Sequence, residues 1–181
     1  MFKPKANTIP GTARGRLMRN GLRRRALIGL LVLPALALPM QAAANDRLPL
    51  KGSEAGTFQL LGPCDTGGMV LEVTGTGHTT RLGSYSGNYR ECLDPATGAV
   101  TAGTFMLTAA KGDKVFGTYS GQALPTDNPN VVAYQDPGVI TGGTGRFAGA
   151  RGSMTTSGLA NLATGEYSGT VSGSVSRPSS G

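Results

Sequence analysis

Residues 138–152 read Gly-Val-Ile-Thr-Gly-Gly-Thr-Gly-Arg-Phe-Ala-Gly-Ala-Arg-Gly. The β-branched pair Val139 and Ile140 leads into a glycine-dense turn that holds a single aromatic side chain, Phe147. Glycine tolerates the backbone angles and the close approach that a tight corner requires. The stretch therefore predicts a strand that enters the corner of a small β-barrel, with Phe147 filling an apolar space. The predicted corner residues are Gly142, Gly143, Gly145, Phe147 and Gly149.

The rest of the sequence also has the spacing of strands and turns that is typical of a β-protein. Short β-prone runs recur between turn signals about every ten residues, a spacing typical of sandwiches and barrels. No stretch after residue 44 shows convincing helical periodicity. Eight strands are predicted, over residues 56–61, 69–75, 79–85, 100–109, 114–122, 131–141, 152–159 and 167–176.

Alternation along these strands indicates which faces are buried. Leu71 and Val73 share one face of their strand, and Phe105 and Leu107 share one face of theirs. One face is therefore mainly apolar and the other is mixed. A closed barrel shows this pattern when its interior is packed or ligand-lined and neighbouring subunits cover part of its outer wall.

The first 44 residues have the order of a cleaved signal peptide. Arg23, Arg24 and Arg25 precede an apolar run over 26–40, and small residues follow at 42–44. Basic, apolar and small segments in this order are typical of export signals. An uncleaved membrane anchor is the alternative, because about 20 apolar residues can cross a bilayer, but two prolines interrupt the run.

Cleavage near Ala44 leaves a domain over residues 45–176 and a frayed tail over 177–181. The predicted location is the periplasm or the extracellular space. Arg24 and Arg25, followed by Ala26, Leu27 and Ile28, also fit a twin-arginine signal, so both the general and the twin-arginine route stay open.

Removing the leader reverses the charge balance. The whole chain of 181 residues carries a net charge of +7 from 17 basic and 10 acidic residues. Eight of the basic residues lie in the leader, so 9 basic and 10 acidic residues remain, a net charge of −1. The domain lacks the basic stripe that nucleic-acid binding requires. It also lacks a polybasic patch for anionic membranes, so we expect no stable membrane insertion after cleavage.

Cys64 and Cys92 are the two cysteines of the chain. In an exported domain, an even pair predicts one disulfide. There is no Cys-x-x-Cys spacing and His78 is the single histidine, so no metal site is predicted. Residues 143–149 mimic the glycine spacing of a dinucleotide loop, but that loop needs a following helix in a βαβ unit. No cofactor is predicted.

No catalytic constellation is evident in the chain. His78 has no Gly-x-Ser-x-Gly elbow to work with. Polar or half-polar side chains within predicted strands could still point into a barrel cavity and orient a ligand among apolar walls. The candidate ligand-binding residues are Arg81, Tyr85, Tyr119 and Tyr134.

Three blocks of sequence resemble exported bacterial proteins of the allene oxide cyclase barrel-like group, which are mostly of undefined function. The blocks are residues 80–83, 108–113 and 140–150, and plant dirigent proteins have a similar Gly-Thr-Gly-x-Phe corner. The resemblance implies an eight-stranded antiparallel β-barrel with a central apolar cavity, commonly assembled into a homotrimer. The chain has Arg81, Lys111 and Arg151 where the group usually has other residues, and no catalytic residue is carried over.

Two functions of different class follow. The first is an exported barrel that binds a small apolar molecule or acts as a structural or surface-interaction module. The second is an isomerase or cyclase of allene oxide cyclase or dirigent type, free of cofactors, in which the cavity steers ring closure or coupling of a reactive intermediate. Orientation and exclusion of water supply catalysis there, so a missing acid and base motif weighs little against it.

Overall fold

The computed structural model describes residues 47–176, which form a closed barrel of eight antiparallel strands. Each strand pairs with its neighbours in sequence, and the first pairs with the last. The strands are β1 (Arg47–Pro63), β2 (Met69–Thr79), β3 (Gly83–Leu93), β4 (Ala99–Ala109), β5 (Lys114–Pro125), β6 (Val131–Gly143), β7 (Gly152–Asn161) and β8 (Glu166–Ser176). The predicted all-β, eight-stranded antiparallel barrel is confirmed.

The predicted signal peptide over residues 1–44 and the predicted tail over 177–181 lie outside the described residues. Within residues 47–176, no helix is long and apolar enough to span a bilayer.

The two ends of the barrel differ in how they are filled. At the end where β1 begins, which we call the closed end, apolar side chains occupy the interior. Leu50, Leu107, Val115 and Ile140 are all almost completely buried there. An eight-stranded barrel is just wide enough for side chains to fill it or for one small ligand to enter. The interior at the other end, which we call the open end, contains a cavity.

The corner predicted from residues 138–152 lies at the closed end of the barrel. A single turn of 3-10 helix, Gly145–Phe147, follows β6, and the Phe147 side chain is 6% exposed in the apolar core. Gly145 and Gly149 have φ angles of +56° and +73°, which strongly favour glycine. Arg146 stabilises the corner from outside, because its Nε lies 3.4 Å from Asp113 Oδ2 and its Nη2 donates to the Leu82 carbonyl at 2.8 Å.

Gly143→Ala is expected to destabilise the barrel by about 2 kcal/mol or more, because a Cβ there would overlap two backbone carbonyl oxygens and neither can move alone. Gly62→Ala is the matched control, since a Cβ at Gly62 meets open space. Urea unfolding of both variants measures the difference. Equal midpoints for the two variants would contradict the assigned packing of this corner.

The Cys64–Cys92 disulfide is present, as the sequence predicted. It joins the end of β1 to the outer face of β3 across the β1–β2 connection, at the open end.

Replacing both cysteines by serine is expected to lower the free energy of unfolding by about 3 kcal/mol, the loop-closure value for a ring of this size. The ring spans a sequence separation of 28. Urea unfolding of wild type and of the Cys64→Ser, Cys92→Ser double variant measures the loss. The reduced wild-type protein serves as control and should match the double variant. An unchanged midpoint in the double variant would rule out this contribution.

One predicted strand needs correction. Residues 79–85 were expected to form a strand, but β2 ends at Thr79, residues 80–82 turn, and β3 runs from Gly83 to Leu93. The reason is the hydrogen bonding of the turn, in which the Thr79 hydroxyl accepts from the Leu82 amide at 3.2 Å. Predicted β1 was also too short, because the strand starts at Arg47 and not at residue 56.

Glycines on the inner face make room for tyrosines. Four of the five tyrosines that point inward have glycine as a direct cross-strand neighbour, which lets each ring lie across the adjacent strand. The pairs are Tyr85 with Gly77, Tyr119 with Gly103 and Gly138, Tyr134 with Gly158, and Tyr167 with Gly56. The high glycine content of the domain thus serves its interior as well as its turns.

Candidate functional site

The cavity lies inside the open half of the barrel and has a volume of about 140 Å³. This is close to the roughly 150 Å³ that holds a benzene molecule in a protein core. Its mouth is apolar, and Phe58, Leu71 and Leu93 are among the residues that line it. Its inner part combines the apolar residues Val73 and Met154 with Thr156, three carboxyl groups and four tyrosines. The carboxyl and tyrosine residues are Glu54, Glu91, Asp136, Tyr89, Tyr119, Tyr134 and Tyr167.

Glu54 forms the floor of the polar part. It points inward from β1 and is 6% exposed. Its Oε2 accepts hydrogen bonds from the Tyr85 hydroxyl at 2.9 Å and from the Tyr89 hydroxyl at 2.5 Å. Burial raises the pKa of the Glu54 carboxyl, and the hydrogen bonds from Tyr89 and Tyr85 offset part of that effect. A buried carboxyl that accepts two hydroxyl bonds is positioned rigidly.

Glu91 projects from β3 toward the same space. Its Oε2 accepts a hydrogen bond from the Tyr119 hydroxyl at 2.5 Å, and the residue is 8% exposed. Burial raises the pKa of the Glu91 carboxyl, and the bond from Tyr119 lowers it in part. The rings of Tyr89 and Tyr119 meet edge to face, with centroids 6.2 Å apart, an arrangement that aromatic pairs favour.

The Asp136 carboxyl differs from those of the two glutamates in its hydrogen bonding. Within residues 47–176, its Oδ1 atom is buried without a hydrogen-bond partner, and so are the Tyr134 and Tyr167 hydroxyls. Burial, together with the negative charges of Glu91 and Glu54, raises the pKa of Asp136 to about 7. A buried polar atom without a partner costs roughly 1–3 kcal/mol. All three atoms belong to residues that line the same cavity.

Each of these three atoms lies against a glycine. A Cβ at Gly121 would overlap Asp136 Oδ1, one at Gly75 would overlap the Tyr167 hydroxyl, and one at Gly169 would overlap the Tyr134 hydroxyl. Because these glycines have no Cβ, they leave space for the three unpartnered groups. The rings of Tyr134 and Tyr167 form a second edge-to-face pair, with centroids 6.2 Å apart.

This arrangement can bind and polarise a small molecule. The tyrosine hydroxyls stay protonated because burial raises the pKa of Tyr134 and Tyr167, with the charge of Glu54 adding to it. They can donate hydrogen bonds, whereas Asp136 can donate or accept near neutral pH. Among the residues the structure describes, no group of three or more His, Cys, Asp or Glu side chains could hold a metal ion.

The structure brings three of the four candidate ligand-binding residues together. Tyr119 and Tyr134 line the cavity, and Tyr85 lies just beneath it, bonded to Glu54. Arg81 lies instead in the β2–β3 turn at the closed end, where its Nε donates to the Pro49 carbonyl at 3.3 Å.

Five further residues of the site were missed from sequence. Glu54 lies before the predicted start of β1, and Tyr89 and Glu91 lie in the part of β3 that was not predicted. Asp136 and Tyr167 lay in predicted strands, and their parity with the apolar Ile140 and Val171 places them on the inner face. That parity was the available signal.

No protein-family model matches the chain. No curated protein matches it. Its structure is similar to that of the pterocarpan synthase dirigent protein GePTS1, with 13% identity, a TM-score of 0.49 and coverage of 73% of this chain and 90% of that chain. It is also similar to the pterocarpan synthase dirigent protein PsPTS1, with 12% identity, a TM-score of 0.49 and coverage of 74% and 96%. At this level of identity, no residue role, ligand or activity passes from these proteins to this chain.

Proposed function

We propose that the barrel binds a small, largely apolar molecule in its open half, with the polar end of that molecule against Asp136, Tyr134 and Tyr167. The observation that carries the proposal is the set of three buried, unpartnered polar atoms around one cavity. A ligand that hydrogen-bonds to them would remove their desolvation cost. A purely structural barrel would gain stability by replacing them with apolar groups.

Native mass spectrometry of protein purified gently from its own host tests this proposal. We expect an extra mass that denaturation releases. Ala160 lines the cavity, so Ala160→Leu should fill part of the space and reduce the extra mass. Ala55 lies on the exposed face of β1, so Ala55→Leu should retain the extra mass. A bare polypeptide in both native and denaturing spectra would contradict ligand binding. The subunit count of the native ions also tests the homotrimer, which stays a prediction.

A second candidate function is a cofactor-free isomerase or cyclase. It is favoured by the pKa of Asp136, which burial and two neighbouring carboxylates raise to about 7. A general acid or base works best when its pKa is near the operating pH. In this function Asp136 would transfer a proton to or from the bound molecule, while the cavity walls orient that molecule and limit its contact with water.

Hydrogen exchange separates the two candidates. The molecule released from the barrel would be returned to the protein in deuterium oxide, and its carbon-bound hydrogens followed by mass spectrometry. An enzyme that moves protons at carbon should incorporate deuterium, and Asp136→Asn should slow this by roughly 100-fold or more. Equal incorporation with wild type, with the variant and without protein would exclude the acid and base role and leave simple binding.

We also propose that the protein works after export, in the periplasm or outside the cell. The Cys64–Cys92 disulfide is compatible with an oxidising compartment, where such bonds persist. Expression in a reducing cytoplasm should give the dithiol form, and recovery of the intact disulfide only from the exported fraction would support this location.

A further inference from the structure

The charge inside the cavity is of one sign. Glu54, Glu91 and Asp136 reach it from three different strands, β1, β3 and β6. Among the described residues that line it there is no lysine, arginine or histidine. An anionic ligand would therefore meet carboxyl groups from three strands and no counter-charge, which is unfavourable in a poorly solvated space.

The walls between these carboxyls are tyrosine rings. Tyr89, Tyr119, Tyr134 and Tyr167 all line the cavity. The face of an aromatic ring is negative, so a ring attracts a cation within about 6 Å of its centroid, and aromatic cages bind quaternary ammonium groups. Tyr167 is 92% buried, and its hydroxyl has no hydrogen-bond partner in the described part of the chain. The hydroxyl lies over the inner face of Gly75 and is free to donate a hydrogen bond within the barrel.

The outer surface is polarised along the barrel axis. Of the described acidic residues outside the cavity, five lie at the open end and one at the closed end. The five are Asp65, Glu72, Asp94, Asp127 and Glu166. Seven of the eight described basic residues lie in the closed half, and Arg90 is the exception. The seven are Arg47, Lys51, Arg81, Lys111, Lys114, Arg146 and Arg151.

Such a field draws cations toward the mouth and repels anions from it. A cleft lined by one sign of charge with low-dielectric walls raises the local concentration of oppositely charged ligands. The acidic outer surface of the open end, the acidic interior and the tyrosine rings thus favour the same kind of ligand.

We propose that the ligand is a small organic cation, an ammonium group on an apolar body, held by the three carboxyls and the tyrosine rings of the cavity. This inference rests on the ligand-binding function proposed above and names its chemical class. A metal ion fits less well, because the described residues offer no group of three or more ligating side chains and the mouth is apolar. The volume of about 140 Å³ suits a body of roughly benzene size.

Binding of a cation should be coupled to loss of a proton. The groups that face Asp136 across the cavity are the carboxyls of Glu54 and Glu91 and the hydroxyls of Tyr119, Tyr134 and Tyr167. None of them supplies a positive charge. An ammonium group would therefore bind the ionised carboxylate better than the neutral acid, and its affinity should rise with pH.

Three probes of the same size and different charge test the proposal by calorimetry. They are benzylammonium, benzyl alcohol and benzoate. We expect benzylammonium to bind about tenfold or more tightly than benzyl alcohol, and benzoate not to bind. Benzylammonium affinity should increase about tenfold between pH 6 and pH 8, whereas benzyl alcohol should show no such increase.

Two variants separate the charge inside the cavity from the charge on the outer surface of the open end. Asp136→Asn should weaken benzylammonium binding about tenfold and remove most of its pH dependence. Glu72→Gln is the matched control, because Glu72 faces outward in the same half and accepts a bond from Gln59 Nε2 at 3.0 Å. It should leave affinity within about twofold, since solvent screens a charge on the outer face of the barrel.

The outcomes distinguish this proposal from the function on which it rests. If benzyl alcohol or benzoate binds as tightly as benzylammonium, the barrel is a ligand-binding protein and the cation class is wrong. If none of the three binds but native spectra show a retained molecule, the cation class is again wrong. If none binds and the native protein is bare, both proposals fail.

Discussion

Asp136→Asn is expected to stabilise the barrel at pH 8 by about 2 to 4 kcal/mol in the absence of ligand. The carboxyl is buried near Glu54 and Glu91, and its pKa rises from 3.8 to about 7. The folded protein therefore holds this proton more tightly than the unfolded chain does. The contribution of Asp136 to stability is therefore greatest at low pH and falls as the pH rises between about 4 and 7. Asparagine carries no charge, so the variant escapes that loss.

Urea unfolding at pH 5 and pH 8 measures this effect. Wild type should lose stability between the two values, and Asp136→Asn should lose less. Asp127→Asn is the matched control, because Asp127 is exposed in the β5–β6 connection at the same end of the barrel. It should follow wild type at both pH values. A wild-type protein that is equally stable at pH 5 and pH 8 would contradict the burial of an unpaired carboxyl.

A variant that gains stability by losing a polar group would indicate a functional site. Natural proteins keep destabilising groups where activity or binding needs them. Loss of ligand binding in the same stabilised Asp136→Asn variant would be the expected trade-off. Stabilisation with binding intact would place the ligand elsewhere.

Phe147→Ala is expected to lower the free energy of unfolding by about 3 to 5 kcal/mol. The ring is 6% exposed within the core that fills the closed end, so its removal leaves a cavity there. Phe116→Ala is the matched control, because Phe116 is 38% exposed on the outer face. It should cost about 1 kcal/mol, the loss expected for a half-exposed side chain. Equal losses in the two variants would show that Phe147 does not close the barrel.

The barrel could be predicted from sequence because its determinants are local. Period-two alternation in β2 and β4 and the turn residues between strands each act over a few positions. The corner at residues 138–152 combines positive φ angles at Gly145 and Gly149 with one buried ring. Both features can be recognised in the sequence, as glycines and as a single aromatic residue.

The site could be predicted only in part, because it depends on strand register. Tyr119 and Tyr134 were found as polar groups within strands, but Glu54 meets Tyr85 and Tyr89 at sequence separations of 31 and 35. No local pattern encodes such a meeting, and an error of one residue in register turns a side chain to the other face. Because the predicted strand ends at residue 85 and β3 runs to Leu93, Tyr89 and Glu91 lie beyond the predicted strand.

The glycines beside inward-pointing polar groups show why composition is informative but not specific. Gly121, for example, reads as a turn or strand-weakening residue in sequence. In the barrel, its missing side chain leaves the space that Asp136 Oδ1 occupies. A glycine-rich strand is thus needed to place a carboxyl and several rings inside so narrow a barrel.

We propose that the open half of the barrel contains a poorly solvated acidic site that binds a small organic cation. Carbon-13 NMR of the aspartate carboxyls as a function of pH, with and without benzylammonium, tests it most directly. We predict one aspartate with a pKa of about 7, absent from the Asp136→Asn spectrum, whose pKa falls when benzylammonium is added. An Asp136 carboxyl that titrates near the ordinary aspartate value and does not respond to benzylammonium would contradict the account.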